Sequence, residues 1–317
     1  MKVLIPDKIN AKVIEILQNA GLEVDSKPGI SVEDCIKIVD EADAMIVRSG
    51  IKVTPEMLTA AKKLKLVVRA GVGYDNIDTE AAAKLGIVVE NTPFGNTNAA
   101  AEHTLALMFL LSKKILPGQA ELKAGAWNRK LEATELKGKT LGLVGLGNVG
   151  KKVAKVALAL EMTVLGADPF VDAEGMKALG VHKSDLEEIL AKADYISFHL
   201  PLTKETRDMI GAAEFAKMKD GVRILNVARG GVINEDALEE VIKSGKVAGA
   251  ALDVYSQEPP ACRTLIELDQ VICTPHQGAS TKEAQVNVGI DAANQVIAAL
   301  FHGKIEACVN GVAKLRS

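Results

Sequence analysis

The chain has 317 residues, enough for two domains that each bury a core of their own. Apolar residues make up 48% and charged residues 25%, which excludes an intrinsically disordered chain. The formal net charge of −3, without any long lysine or arginine run, excludes nucleic acid or an anionic membrane surface as the main partner.

The opening MKVLIPDKIN is an apolar run broken by Pro6 and Asp7, so no signal peptide is expected and the chain is assigned to the cytoplasm. Short β-branched runs predict strands near residues 2–5, 22–25, 44–47, 66–69 and 87–89. Two of the helices between them have clear starts, at Thr54 followed by Pro55 and at Asp78. Residues 98–123, opening with NAAAEHTLALMFLL, are predicted as one long helix. A second α/β unit begins over residues 139–168 and continues with strands near 194–197, 222–227, 247–252 and 271–273. The last helix opens with a capping box, Ser280 to Glu283, and runs to about Leu300; the short tail after it is expected to pack on the first domain. This alternation predicts an α/β chain of two Rossmann-like, doubly wound parallel-sheet domains. A nucleotide domain over 98–286 is expected to be inserted into a discontinuous substrate domain, 1–97 plus 287–317. No apolar stretch approaches the ~18 residues that span a bilayer. Cys35, Cys262, Cys273 and Cys308 lack paired spacing, so reduced, mostly buried thiols and no metal are expected.

Residues 140–150 read TLGLVGLGNVG and run into the helical KKVAKVALAL. Gly145, Gly147 and Gly150 therefore form G-x-G-x-x-G between a strand and a helix. Gly145 allows the tight turn, Gly147 lets the backbone approach a pyrophosphate, and Gly150 lets helix and strand pack closely. The helix N-terminus offers N–H groups and the positive end of its dipole to the phosphates. Asp168 ends the next strand about 20 residues on, the separation at which a carboxylate meets the adenosine ribose. A carboxylate there repels a 2′-phosphate, and Pro169-Phe170 bring no arginine, so NAD is favoured over NADP.

Three polar residues follow strands of the second unit: Arg229 after VRILNVA, Glu258 after VAGAALDV and the loop YSQEPP, and His276 after QVICTP. In an open parallel sheet the carboxyl ends of the strands border the ligand crevice. Arg229 is suited to gripping a substrate carboxylate with a two-pronged bond, His276 to moving the hydroxyl proton, and Glu258 to holding the imidazole and stabilising its charged form. Singly, each has a plainer reading as an ion pair, a loop residue or a structural histidine.

The runs ILNVARGGVINEDAL, ALDVYSQEPP and CTPHQGAST, after IVRSGIKVT, VVRAGVGYDNID and NTPFGNTNAAAEHTLAL, stand in the order seen in the D-isomer-specific 2-hydroxyacid dehydrogenases. The chain resembles that family over residues 40–285, its phosphoglycerate-oxidising branch above all. The resemblance implies catalytic roles for Arg229, Glu258 and His276. It implies NAD contacts at Asn148, Val149, Asp168, Thr203, Val227, Ala228, Arg229, Asp253, His276, Gln277, Gly278 and Ala279. Val72 stands where some members carry a threonine, leaving packing without a hydroxyl; Thr203 is alternatively a local cap. The loop Gly71, Val72, Gly73 is implied to border the substrate with Arg229 and His276. Residues 98–140, with Trp127 as a packing anchor, are implied to join two subunits in a homodimer. The chain stops at Ser317 without the serine-binding regulatory domain of the family's long form, so insensitivity to serine is expected.

The expected partner is a small 2-hydroxy acid, and a phosphorylated one. Arg48 and Arg69 end strands of the first domain, with Lys52 just beyond, and a carboxylate already served by Arg229 leaves those cations for a phosphate. Arg69 pairing with Asp75 or Asp78 is the competing expectation, and Arg129 or Lys130 of a neighbouring subunit is a weaker addition. A glyoxylate, hydroxypyruvate or lactate reductase is the rival enzyme; a formate dehydrogenase is disfavoured because Glu258 stands where it has glutamine. An NAD-sensing corepressor is the rival from outside catalysis. His103 is read as a polar-network or packing residue, His199 as lining the cofactor loop, and His182 and His302 as surface.

Overall fold

The computed structural model describes residues 1–261 and 263–316, and the expectation for Cys262 lies outside them. Two compact units divide the chain, Met1–Thr97 with Ser280–Ser317 and Asn98–Ala279. The second crossing therefore comes a few residues before the expected 286, because the whole of the last helix belongs to the first unit.

In the first unit the strands are β1 (Lys2–Ile5), β2 (Glu23–Ser26), β3 (Ala44–Val47), β4 (Leu66–Arg69) and β5 (Val88–Asn91). They form one parallel sheet in the order β2-β1-β3-β4-β5. The four residues of β3 are all buried, as expected of a central strand covered on both faces. Thr54 caps the helix Pro55–Ala60 by accepting from Met57 N, and Asp78 caps Thr79–Lys84 by accepting from Ala81 N at 2.8 Å. The final helix, Lys282–His302, lays Val288, Ala292, Ala293, Val296 and Ala299 into a core with Val3, Ile5, Val13 and Leu17. Gly289 permits that approach, since a Cβ there would lie 2.6 Å from Val13 Cγ2. Its cap is Thr281, which accepts from Ala284 N, so the cap falls one residue after the expected Ser280, and alanine at position 284 cannot complete a reciprocal box. The tail then runs along the open edge of β5, where Val309 N donates to Val89 O and the buried Glu90 carboxylate accepts from Glu306 N and Ala307 N.

The second unit holds β6 (Thr140–Val144), β7 (Thr163–Ala167), β8 (His182–Lys183), β9 (Tyr195–Phe198), β10 (Val222–Asn226), β11 (Val247–Leu252) and β12 (Val271–Cys273). Their order is β12-β11-β10-β9-β6-β7-β8, all parallel, which is the Rossmann order with one further strand. The two-residue β8 had no counterpart among the predicted strands.

The predicted long helix over 98–123 is two helices, Thr97–Lys113 and Ile115–Lys123, separated by Lys114 at φ 49°. Pro117 explains the break. In a continuous helix its ring would clash with the Lys113 carbonyl and its missing N–H would leave that carbonyl unpaired. Restarting at Ile115 places Pro117 in a first turn, where no N–H has a partner in the helix. Trp127, expected to anchor packing, is 80% exposed within the chain. No described helix is long and apolar enough to cross a membrane.

Candidate active site

The glycine loop joins β6 to the helix Asn148–Ala159, whose N-cap is Gly147. Gly145 sits at φ +99°, and a Cβ there would meet His199 O at 2.5 Å. A Cβ on Gly150 would meet Gly145 O at 2.2 Å. Gly147 is different: its φ is −68°, and a Cβ would meet nothing within 4 Å. The fold thus demands glycine at 145 and 150 but not at 147, where the open space suits an approaching pyrophosphate and the residues present fit a dinucleotide. Gly147→Ala is therefore expected to keep its thermal transition while binding NADH about tenfold more weakly. Gly145→Ala and Gly150→Ala should lose stability instead. Calorimetry with fluorescence titration checks this, and a matching stability loss at Gly147 would assign that glycine to the fold.

Asp168 follows β7 and turns back to the loop, Oδ2 accepting from Leu146 N at 2.7 Å and Oδ1 from Phe170 N at 2.8 Å. Each oxygen keeps a second lone pair for a hydroxyl donor. Asn148 is exposed and Val149 half-buried. Burial pushes the His199 imidazole down to about 4, so it lines the glycine turn as a neutral group, within 3.0 Å of Ser197 Oγ. The Thr203 hydroxyl accepts from Glu205 N and Thr206 N, a local turn of its own.

Arg229, Glu258 and His276 follow three neighbouring strands of this sheet, and Glu258 and His276 meet directly. After β10 the buried Asn226 side chain clamps the turn: Nδ2 donates to Arg229 O at 2.8 Å and Oδ1 accepts from Ala228 N at 3.1 Å. Arg229 Nη1 donates to Ala228 O at 2.7 Å, and Val227 and Ala228 are half-buried beside it. Gly230 lets this loop press on the next one, since a Cβ there would lie 1.8 Å from Tyr255 O. Glu258 Oε1 accepts from Tyr255 N at 3.2 Å, and Oε2 lies 2.7 Å from His276 Nδ1. That contact places the hydrogen on Nδ1 and leaves Nε2 as the atom that takes or gives a proton. The two side chains are 49% and 39% exposed, open to a substrate.

Asp253, just past β11, is 1% exposed and accepts from Gln277 N and Gly278 N, which follow His276. Sequence reasoning passed over Asn226, Tyr255 and Thr274. An asparagine at a strand end before a turn was the one available signal for Asn226; nothing marked the other two.

The first unit carries the remaining candidates. Arg48 follows β3; its Nε is buried without a hydrogen-bond partner, and its backbone N donates to Asp7 Oδ2 at 2.6 Å. Burial depresses the guanidinium's pKa while the nearby Asp7 carboxylate opposes that fall. Arg69 folds back over the Gly71 loop, Nη1 donating to Ala70 O at 2.8 Å, and only a glycine at 71 leaves room for it. Gly71 N donates to Thr92 Oγ1 and Asn91 Nδ2 donates to Val72 O, holding the loop through Gly73 against the end of β5. Lys52 is exposed.

Residues 105–278, over half of the chain, match the family model described as D-isomer specific 2-hydroxyacid dehydrogenase, NAD binding domain. The chain belongs to the D-isomer-specific 2-hydroxyacid dehydrogenase family. The family's NAD-binding domain lies in the second unit, the one that bears the glycine loop. The chain is 50% identical over 299 residues to the D-3-phosphoglycerate dehydrogenase of Archaeoglobus fulgidus, covering 94% of this chain and 57% of that one. It is 46% identical over 310 residues to the D-3-phosphoglycerate dehydrogenase of Synechocystis sp., covering 98% and 56%. It thus spans a little over half the length of these relatives. Among solved structures, a protein of Thermus thermophilus superposes with a TM-score of 0.87 at 33% identity, over 98% of this chain and 100% of that one. A glyoxylate reductase from Paecilomyes thermophila superposes with a TM-score of 0.89 at 30% identity, over 98% of each.

Proposed function

We propose that the protein oxidises 3-phospho-D-glycerate at C2 to 3-phosphohydroxypyruvate with NAD, an entry step to serine synthesis. The observation that carries this reading is the 2.7 Å contact of Glu258 Oε2 with His276 Nδ1 at the carboxyl end of a Rossmann sheet that also bears Arg229. The choice of substrate is supported by the similarity to the D-3-phosphoglycerate dehydrogenases of Archaeoglobus fulgidus and Synechocystis sp..

In this reading Arg229 grips the substrate carboxylate and polarises the C2 oxygen. His276 Nε2 takes the C2 hydroxyl proton as the C2–H bond breaks and the carbonyl forms, and returns it in the reverse direction. Glu258 holds the imidazole in that orientation and neutralises the charge it gains. NAD, when bound, supplies the acceptor for the hydride that leaves C2. The residues assigned to hold it are Gly145, Gly147, Asn148, Val149 and Gly150 at the phosphates and Asp168 at the ribose. Thr203, Val227, Ala228, Asp253, Gly278, Ala279 and Val72 are assigned to the rest of the cofactor. Arg48, Arg69 and the loop 71–73 are assigned to the substrate. The enzyme is read as a cytoplasmic homodimer joined through residues 98–140, which carry the exposed Leu122 and Trp127.

Turnover followed by NADH absorbance, with a panel of phosphorylated and plain 2-oxo acids, tests the assignment. Phosphohydroxypyruvate should give the highest kcat/KM. A clear preference for glyoxylate would favour the second reading, a glyoxylate reductase, to which the Paecilomyes thermophila structure gives its weight. Cofactor choice is a separate test. NAD should be strongly preferred, and Asp168→Ala should narrow the gap to NADP about tenfold by removing the repulsion of a 2′-phosphate. Equal efficiency with both cofactors in the unaltered protein would sink the assignment of Asp168.

A further inference from the structure

The Asp253 carboxylate is a buried node in the second unit. It accepts from Thr274 Oγ1 at 2.6 Å, Gln277 N at 2.8 Å and Gly278 N at 2.7 Å, and His103 Nε2 lies 3.5 Å from it. His276 N donates to the Asp253 backbone carbonyl at 2.8 Å. One residue therefore grips the chain at His276 and at the two residues after it. His276 itself sits at φ 49°, a region that a non-glycine residue holds only when its surroundings impose it.

The direction of the side-chain bonds follows from their hydrogens. Thr274 has one hydroxyl hydrogen and donates it to Asp253, so the contact between His103 Nε2 and Thr274 Oγ1, 3.0 Å long, is a bond that Thr274 accepts. His103 must carry its hydrogen on Nε2, and the chain runs from His103 to Thr274 to Asp253. His103 is fixed on the helix Thr97–Lys113, which sends Ala101, Leu105, Leu107 and Met108 into the core. Its ring packs near Gly278, where a Cβ would lie 3.6 Å from His103 Cδ2.

We propose that His103 is a positioning residue for the proton-transferring His276, acting through Thr274 and the Asp253 carboxylate. The proposal rests on the reading of His276 given above. Without the His103 donor the Thr274 hydroxyl is held only by its bond to Asp253, the carboxylate loses the nearby imidazole, and the backbone that carries His276 loosens. The reacting nitrogen then strays from its productive position, which slows proton transfer more than it weakens binding.

The test compares His103→Phe, which keeps a ring but removes the donor, with Thr274→Val, which keeps the shape but removes the hydroxyl. Each should lower kcat about 5–20-fold with KM for the 2-oxo acid changed by no more than about twofold. The double variant should add little to either loss, because both break one chain. His103→Gln, which restores an N–H donor, should recover most of the kcat. In nitrogen-15 histidine spectra of the protein alone, the His276 ring signals should shift or broaden in His103→Phe and return in His103→Gln. If His103→Phe does not fold, Thr274→Val carries the same comparison. Normal kcat in His103→Phe and Thr274→Val, with His276→Ala inactive, overturns the proposal and leaves the site reading intact. Full activity in His276→Ala overturns the site reading itself. A kcat loss that follows thermal stability and is not recovered by His103→Gln makes His103 structural and also overturns the proposal.

Discussion

His276→Ala is expected to lower kcat by about 10²–10⁴-fold while NADH binding stays nearly intact. The expectation follows from the division of labour in the second unit. Glu258 occupies Nδ1 of the imidazole, so Nε2 is the nitrogen left for the substrate's proton, and alanine removes it entirely. The glycine loop that would hold the dinucleotide phosphates belongs to β6 and the helix Asn148–Ala159, and its geometry does not pass through the His276 side chain. Rapid-reaction kinetics separates proton transfer from product release, and fluorescence titration reads NADH binding. Glu258→Gln should fall less far, since the amide retains a hydrogen-bonding group but no charge to balance the imidazolium. If His276→Ala keeps near-normal kcat, the acid–base assignment is wrong.

Arg48→Ala should lower kcat/KM for phosphohydroxypyruvate by about 10–150-fold, the factor that a charge-assisted bond of ~1.5–3 kcal/mol represents. With hydroxypyruvate, which has no phosphate, the change should be far smaller. Arg48 and Arg69 both bury their Nε, so the choice of Arg48 rests on Arg69 already committing Nη1 to the Ala70 carbonyl. The Arg48 Nε is buried with no hydrogen-bond partner, an arrangement costly to keep unless an anion completes it. Lys52 is an exposed ammonium of the kind that contributes little in water. Asp7 accepts from the Arg48 backbone N, and its carboxylate also supports the positive charge of the guanidinium. Equal losses with both substrates would mean that Arg48 shapes the first unit, and the phosphate assignment would have to be withdrawn.

The glycine loop was legible because everything it needs is contiguous: a strand, a turn at Gly145, an uncrowded Gly147, and a helix that packs through Gly150. Most strands of both sheets were legible for a similar reason, since a buried parallel strand announces itself as a short apolar run; the exposed His182–Lys183 pair of β8 carries no such signal. The break at Lys114 was less visible. Pro117 lies in an otherwise helical apolar stretch, and whether such a proline ends a helix or sits inside a new first turn depends on the fold around it.

Each of Arg229, Glu258 and His276 could be placed at the end of a strand from sequence. That their loops meet was decided by the sheet order β10-β11-β12, which sets three chain-distant turns side by side. The clamp of Asn226 on the Arg229 turn, the close passage of Gly230 over Tyr255, and the grip of Asp253 on the backbone after His276 are products of that adjacency. The same holds for the tail on β5, where Glu90 receives two amides more than two hundred residues away in the chain. Local patterning determined which residues turn, cap and enter strands, because those preferences act over a few bonds. Tertiary structure decided which polar groups became partners, because a buried carboxylate must find its donors wherever the packed sheet brings them.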